Sequence, residues 1–149
     1  MKRLVVEYWT PVILWLLTLS FFSTDRFSGG ETSRILLPIW TYFFPRVSGQ
    51  EFDVVHLVIR KLCHITAYFL LAVLTHRSLS SEQAEAVQAK WRTMAFVLLA
   101  AVVDELHQAA TKFRTPSPMD VGYDCFGAVW ALWLITSYET RRLRTYPFL

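Results

Sequence analysis

The sequence has little of what builds a disulfide or zinc scaffold. It contains two cysteines, Cys63 and Cys125, and they form no Cys-x-x-Cys pair. Each falls inside a predicted helix, so both are interpreted as small buried side chains. The chain also shows no internal repeat, no low-complexity run and no recognised nucleophile motif. These absences argue against a small secreted scaffold, a zinc module and a repeat protein.

The composition points to a membrane protein instead. Of 149 residues, 54% are apolar, with six Trp and eleven Phe, and the mean hydropathy is +0.33. A soluble chain of this length has too little interior to bury so many apolar side chains. The net charge of +3 does not indicate nucleic-acid binding, because the basic residues form short clusters beside apolar segments, as in membrane proteins.

Four apolar segments are long enough to cross a hydrocarbon core of roughly 30 Å, which takes about 20 helical residues. They cover residues 4–22, 54–75, 92–110 and 121–138. The sequence therefore predicts an all-α, polytopic protein in which residues 1–149 form a single transmembrane domain. The first segment resembles a leader, but it lacks a small-x-small cleavage site and is interpreted as a retained helix. Residues 35–44 are too few to span and are expected to form an interfacial or re-entrant helix.

Basic residues in the short loops predict the orientation. With both termini in the cytoplasm, the inner segments would carry eight basic residues: Lys2, Arg3, Arg77, Lys90, Arg92, Arg141, Arg142 and Arg144. The outer segments would carry five: Arg26, Arg34, Arg46, Lys112 and Arg114. The expected location is the bacterial cytoplasmic membrane, with both termini cytoplasmic.

Polar residues interrupt three of the helices, and each costs free energy in a bilayer unless it has a partner or a function. Helical spacing places them on one face of each helix. The faces are Lys61, His64 and Tyr68; Asp104, His107 and Gln108; and Asp120, Asp124, Gly127 and Ala131. In the predicted topology all three faces lie at the outer ends of their helices. Snorkelling, helix capping and helix packing remain structural alternatives for several of these residues.

At these positions the sequence resembles the VanZ-like family of small bacterial membrane proteins, named for a member associated with teicoplanin resistance. The resemblance lies in Lys61-x-x-His64-x-x-x-Tyr68, in Asp104-Glu105-x-His107-Gln108, and in Arg114 followed by Ser117, Asp120, Asp124 and Gly127. It implies a four-helix membrane protein with a link to the cell envelope. It supplies no mechanism.

The leading hypothesis is a polar extracytoplasmic site that binds an anionic envelope component, either a lipid-linked phosphate or a cell-wall precursor. Chemical modification of that component and a role in glycopeptide resistance are left open. The candidate catalytic residues are Glu105, His107, His64, Asp104 and Asp124, chosen for acid–base chemistry. The candidate ligand-binding residues are Lys61, Arg114, Gln108, Tyr68 and Asp120, with the two basic side chains holding the anion.

Two alternatives remain open. One is a metal-dependent membrane hydrolase or transferase, in which Asp104, Glu105, His107 and Asp124 would bind a divalent metal ion; the leading hypothesis needs no cofactor. The other is a non-enzymatic scaffold that acts through a membrane partner. Membrane lipids are expected partners and nucleic acid is not. The sequence decides neither the ligand nor the reaction, nor the oligomeric state.

Overall fold

The computed structural model describes residues 2–46, 48–81, 85–114 and 116–145, with side chains described for all of these except residues 2–5, 143 and 144. The described chain is helical and contains no strand, which confirms the all-α prediction. The helices are α1 (Lys2–Phe22), α2 (Gly29–Phe43), α3 (Gly49–Ser81), α4 (Ala86–Ala109) and α5 (Pro118–Thr145). A short 3-10 turn, Asp25–Phe27, joins α1 to α2.

Local sequence explains where the shorter connections end. Ser28 precedes α2, and its hydroxyl accepts a hydrogen bond from the Glu31 backbone N–H at 3.4 Å, a helix N-cap. Pro118 opens α5, where a missing N–H costs nothing. Asp120 follows in the first turn of α5, so its negative charge lies at the positive end of the helix dipole.

The core is small and lies around α3, which packs against α1, α4 and α5. Its buried apolar residues are Val12, Tyr68, Leu71, Ala72, Val97, Ala101, Ala128 and Ala131. Four of these are alanines, which let helix backbones approach closely. The Trp15 indole N–H donates to the Ala67 carbonyl at 2.9 Å, and the Ser78 hydroxyl donates to the Tyr8 carbonyl at 2.7 Å, so α1 is tied to α3 at two levels.

Large apolar side chains cover the outside of this core. Leu17 on α1, Leu99 on α4 and Trp133 on α5 each expose more than 60% of their surface. Contiguous exposed apolar surface on this scale is costly in water and suits contact with lipid or with other apolar helices. Among the described residues, α3 and α4 are long and apolar enough to cross a membrane.

The expectation of four spans is met only in part by this criterion. The described apolar part of α1, Val6–Phe22, is shorter than a full span. Helix α5 has the length, but Asp120 and Asp124 near its start and Glu139, Arg141 and Arg142 near its end reduce its apolar character. The candidate site residues Asp120 and Asp124 thus contribute, with the charges at the other end, to the reduced apolar character of α5.

Element bounds also differ from the sequence prediction. Helix α3 has 33 residues, because the polar stretches at both of its ends stay helical instead of forming loops. The predicted helix at 35–44 starts earlier, at Gly29, and ends at Phe43. It packs on α3 and on the 3-10 turn, and exposes Ile35, Ile39 and Phe43.

Candidate functional site

The polar faces of three helices meet at one end of the bundle, where α1 and α4 end and where α5 begins. Two ion pairs join α3 to α5 there. Lys61 of α3 pairs with Asp120 in the first turn of α5. The Lys61 ammonium also lies 5.4 Å from the ring centroid of Tyr123, within the range of a cation–π contact. The Lys61 side chain remains 26% exposed, so this pair forms the outer layer of the site.

The second pair lies one helical turn deeper. His64 Nδ1 is 3.0 Å from Asp124 Oδ1, and the Asp124 side chain is fully buried. The other oxygen, Asp124 Oδ2, is buried and has no hydrogen-bond partner among the described residues. A carboxylate that holds one ring nitrogen orients the imidazole and fixes which nitrogen faces the site. His64 and Asp124 therefore have the geometry of an oriented acid–base pair.

Among the described residues, Asp104 is the ion-pair partner of neither Lys61 nor His64. Its Oδ1 accepts a hydrogen bond from the Ser23 hydroxyl at the end of α1. Its Oδ2 accepts one from the Gln108 side-chain amide at 3.0 Å. Tyr68 of α3, which is buried, lies beside it. Asp104 thus joins α1 to α4.

Glu105 and His107 follow Asp104 within the last turns of α4. Glu105 is 8% exposed, and its Oε2 accepts a hydrogen bond from the Ser117 backbone N–H at 2.7 Å. Its Oε1 is buried and has no partner in the described part of the chain. One carboxylate oxygen of Glu105 is thus used to hold the start of the segment that leads into α5. His107 is half-buried and lines a groove between α1 and α4.

Arg114 anchors a loop. Its guanidinium donates to the backbone carbonyls of Phe22 and Thr24, the latter from Nε at 3.4 Å. The Asp25 carboxylate makes the reciprocal contact, accepting from the backbone N–H groups of Phe113 at 2.9 Å and Lys112 at 3.4 Å. The Phe113 hydrogen bond, more than any other contact, lowers the pKa of Asp25. The end of α1 and the segment after α4 are therefore fastened in both directions.

The candidate site residues chosen from the sequence did not include three members of this end of the bundle. Ser23 binds Asp104, Asp25 holds the segment after α4, and Arg60 donates to the Phe27 carbonyl at 3.0 Å. The polar run after α1 was a visible signal for Ser23 and Asp25. The hydrogen-bond partner of Arg60 could not have been predicted, because the acceptor is a backbone carbonyl and every residue carries one.

The metal alternative gains no geometric support. The described residues, which include Asp104, Glu105, His107 and Asp124, contain no group of three or more His, Cys, Asp or Glu side chains placed to hold a metal ion. Asp104 and Asp124 each use an oxygen for another helix, and Glu105 uses one for Ser117. Metal dependence stays a prediction from the sequence.

The chain matches the VanZ/LLP1 family over residues 8–139. It belongs to this family. The match covers nearly the whole chain, and it includes every residue on which the resemblance was based. No curated protein and no solved structure matches the chain.

For this VanZ/LLP1 chain the geometry sorts the candidate residues into two groups. Lys61, His64, Asp120 and Asp124 form the α3–α5 pairs, with Glu105 close enough to His64 and Asp120 to interact with both electrostatically. Asp104, Gln108 and Tyr68 form a second cluster with Ser23. The first group combines an ammonium, an oriented imidazole and two buried carboxylate oxygens without partners among the described residues, which is the chemical equipment for binding a ligand and moving a proton.

Proposed function

We propose that the protein is a multi-pass membrane protein in which α1, α3, α4 and α5 cross the bilayer and both termini are cytoplasmic. The family membership, the apolar exterior and the eight-against-five distribution of basic residues support this arrangement. Helices α1 and α5 would cross as parts of a bundle, where polar residues face neighbouring helices instead of lipid. The polar end of the bundle then lies on the extracytoplasmic side.

Cysteine labelling in intact cells tests this topology, after Cys63 and Cys125 are replaced. A membrane-impermeant maleimide should label Gln50→Cys and should not label Ser80→Cys, both at exposed positions. Position 83, a natural alternative in the α3–α4 connection, lies outside the described residues. Labelling of Ser80→Cys from outside would place the site in the opposite leaflet.

We further propose that the α3–α5 site binds the anionic headgroup of an envelope component, a lipid-linked phosphate or a cell-wall precursor. One observation carries this proposal: Asp124 Oδ2 and Glu105 Oε1 are buried acceptors without partners among the described residues, and Asp124 lies one helical turn from Asp120, the ion-pair partner of Lys61. The two oxygens call for hydrogen-bond donors on a ligand, and Lys61 supplies a positive charge for its anionic group. Buried acceptors normally find donors. A purely structural network would gain by satisfying them, whereas a binding site leaves them for a ligand.

The donors and acceptors together define the ligand. An ammonium has three N–H donors, of which Asp120 engages one, so Lys61 retains donors for an anion. Arg114 likewise has guanidinium donors beyond those used on Phe22 and Thr24. The two carboxylate oxygens require donors in return. A phosphate or carboxylate that also carries hydroxyl groups meets both requirements.

The same geometry supports modification as well as binding. The Asp124 carboxylate orients His64, so the imidazole can take a proton from a ligand hydroxyl or return one. The sequence carries no recognised nucleophile motif, so in this proposal the attacking group belongs to the ligand or to water. Glycopeptide susceptibility is the phenotype to measure first, because the family is named for that resistance.

A matched pair of lysine variants tests the anion site. Lys61 and Lys90 each pair with a carboxylate of α5, and their side chains are 26% and 24% exposed, but they lie at opposite ends of the bundle. Purified Lys61→Gln should lose binding to polyprenyl phosphate in detergent micelles, measured by microscale thermophoresis, while Lys90→Gln should bind as the parent does. Equal binding by both variants would contradict the proposal.

A non-enzymatic scaffold is the second candidate, favoured by the Asp104 cluster. Ser23, Asp104 and Gln108 satisfy one another across α1 and α4, as expected of residues that fix helix packing. If Lys61→Gln and Asp124→Asn both retain the envelope phenotype at normal expression, the scaffold function becomes the better account.

A further inference from the structure

A lateral groove opens between α1 and α4 and ends at the polar side of the bundle. Its volume is about 380 Å³. Leu16 and Leu19 of α1 form one wall, and Leu99 and Val103 of α4 form the other. Leu99 and Val103 are 63% and 55% exposed, so the groove is open toward the surface that the bundle presents to the membrane.

The two ends of the groove differ in chemistry. At one end the rings of Trp9 and Phe96 meet edge to face, with centroids 6.1 Å apart, and bring α1 and α4 into contact. At the other end lie Ser20, Tyr68, Asp104 and His107. Phe96 and His107 are eleven positions apart in α4, which is about 16 Å along a helix axis. The groove is therefore apolar along its length and polar at one end.

The polar terminus has donors available. Among the described residues, the side chains of Ser20 and His107 have no hydrogen-bond or ion-pair partner, whereas Asp104 is held by Ser23 and Gln108. Asp104 in turn lies close enough to His64 to interact with it electrostatically. Asp104 thus connects the polar end of the groove electrostatically to the α3–α5 site.

The dimensions decide between occupants. A helix with its side chains is about 10–12 Å across, so one does not fit inside a groove of this volume. A small-molecule site of this size is ordinary. The groove is apolar and open toward the membrane, and it ends beside a hydroxyl and an imidazole that have no hydrogen-bond partner among the described residues. These features match one hydrocarbon chain attached to a polar headgroup.

We propose that this groove binds the hydrocarbon chain of a membrane amphiphile, which enters sideways between α1 and α4 and directs its phosphate headgroup past Ser20 and His107 toward the Lys61 ion pair of the α3–α5 site. The inference rests on the proposed function, because it specifies the ligand of that site as a membrane lipid rather than a water-soluble precursor. The headgroup then reaches the site from within the membrane, without crossing the loops.

Photo-crosslinking tests the groove directly. The full-length protein would be reconstituted in phosphatidylcholine vesicles containing phosphatidic acid with a diazirine in its acyl chain, and the labelled residues mapped by mass spectrometry. Labelling should concentrate on the groove walls, at Leu16, Leu19, Leu99 and Val103. Labelling spread evenly over other exposed positions of α1 and α4 would overturn the inference.

Two adjacent leucines supply a matched control. Leu99 lines the groove, whereas Leu98 is exposed and does not line it. Leu99→Trp should fill the groove and reduce the groove labelling about tenfold, the loss expected when about two methylene groups of the chain are no longer buried. Leu98→Trp should leave the labelling unchanged. An equal effect of both variants would count against a specific groove.

A second probe separates this inference from the proposed function. Diacylglycerol with the same diazirine chain has no phosphate. If phosphatidic acid labels the groove more strongly than diacylglycerol and Lys61→Gln removes the difference, both proposals hold. Equal groove labelling by the two probes upholds the groove and contradicts an anionic headgroup site. Phosphate-dependent labelling outside the groove contradicts the groove and leaves the anionic site standing.

Discussion

Gly127 lies so close to Ile65 that a Cβ atom built on Gly127 would stand 2.2 Å from the Ile65 carbonyl oxygen. No other residue type fits there without moving α5 away from α3. Gly127 follows Asp124 by one helical turn, and Ile65 follows His64 directly. The close approach at Gly127 therefore sets the distance at which Asp124 meets His64.

The first prediction follows from this contact. Gly127→Ala should destabilise the protein by about 1–3 kcal/mol, the usual cost of overpacking, because the added methyl group meets backbone that cannot rotate away. Gly122→Ala is the control in the same helix, since a Cβ at Gly122 meets nothing within 4 Å. Denaturant unfolding in detergent measures both. Equal stability of the two variants would show that the α3–α5 contact is looser than described.

The second prediction compares two ion pairs. Asp124→Ala should lower stability by about 3–5 kcal/mol, because His64, whose side chain is 16% exposed, loses the buried carboxylate that contacts its Nδ1. Glu139→Ala removes the partner of Lys90, but the Glu139 side chain is 42% exposed, so the loss should stay below about 1 kcal/mol. Thermal unfolding of the two purified variants provides the comparison. A smaller loss for Asp124→Ala than for Glu139→Ala would contradict a structural His64–Asp124 pair.

The third prediction concerns the forked contact of Arg114. Arg114→Lys should free the loop between α4 and α5 nearly as much as Arg114→Ala does, because an ammonium cannot reproduce the planar fork on two carbonyls. A spin label at Pro116→Cys, in a background without Cys63 and Cys125, should become more mobile in both variants. Restored immobility in Arg114→Lys would indicate that charge alone anchors the loop.

The fourth prediction is a pH dependence of the same loop. The backbone N–H of Phe113, followed by other donors, lowers the folded-state pKa of Asp25 below its usual value of 3.8. A lowered folded pKa means that the contact stabilises the loop fully above the unfolded pKa and is lost as the pH falls through the folded pKa. The label at position 116 should therefore gain mobility only below about pH 4. In Asp25→Asn the mobility should be higher at neutral pH and should not change in that acidic range.

The helices could be predicted from the sequence because apolar length is a local property. Their bounds could not, since the polar stretches at both ends of α3 stay helical although they lack the apolar character by which the helix was predicted. The number of spans was harder still. In α5, polar residues that face neighbouring helices reduce the apolar character of the segment, and composition alone does not distinguish them from residues that face water.

The site shows the same division. Helical periodicity predicted that Lys61 and His64 share one face of α3 and that Asp120 and Asp124 share one face of α5. In the structure these two faces contact each other, through Lys61–Asp120 and His64–Asp124. Periodicity could not say which carboxylate takes which base, because that depends on how far α5 is shifted along α3. Periodicity likewise placed Asp104 on one face of α4 with His107 and Gln108, but it could not identify Ser23 as its hydrogen-bond donor.

The last prediction separates loop anchoring from function at Glu105. One oxygen of Glu105 accepts the Ser117 N–H, and the other is buried without a partner among the described residues. Glu105→Gln keeps a carbonyl oxygen for Ser117, so expression and folding should remain normal. It replaces the unpartnered acceptor by an amide donor and removes the negative charge, so ligand hydroxyl groups lose their acceptor.

Glu105→Gln should therefore lose whatever envelope phenotype the parent confers, with glycopeptide susceptibility measured first at matched protein amounts. Glu139→Gln, at the other end of the bundle, should keep that phenotype, because its carboxylate pairs with Lys90 far from the site. Full activity of Glu105→Gln at normal expression would assign Glu105 to loop anchoring alone. Glu105 Oε1 would then not be a hydrogen-bond acceptor for a ligand. The scaffold function would explain the polar end of the bundle better than a binding site does.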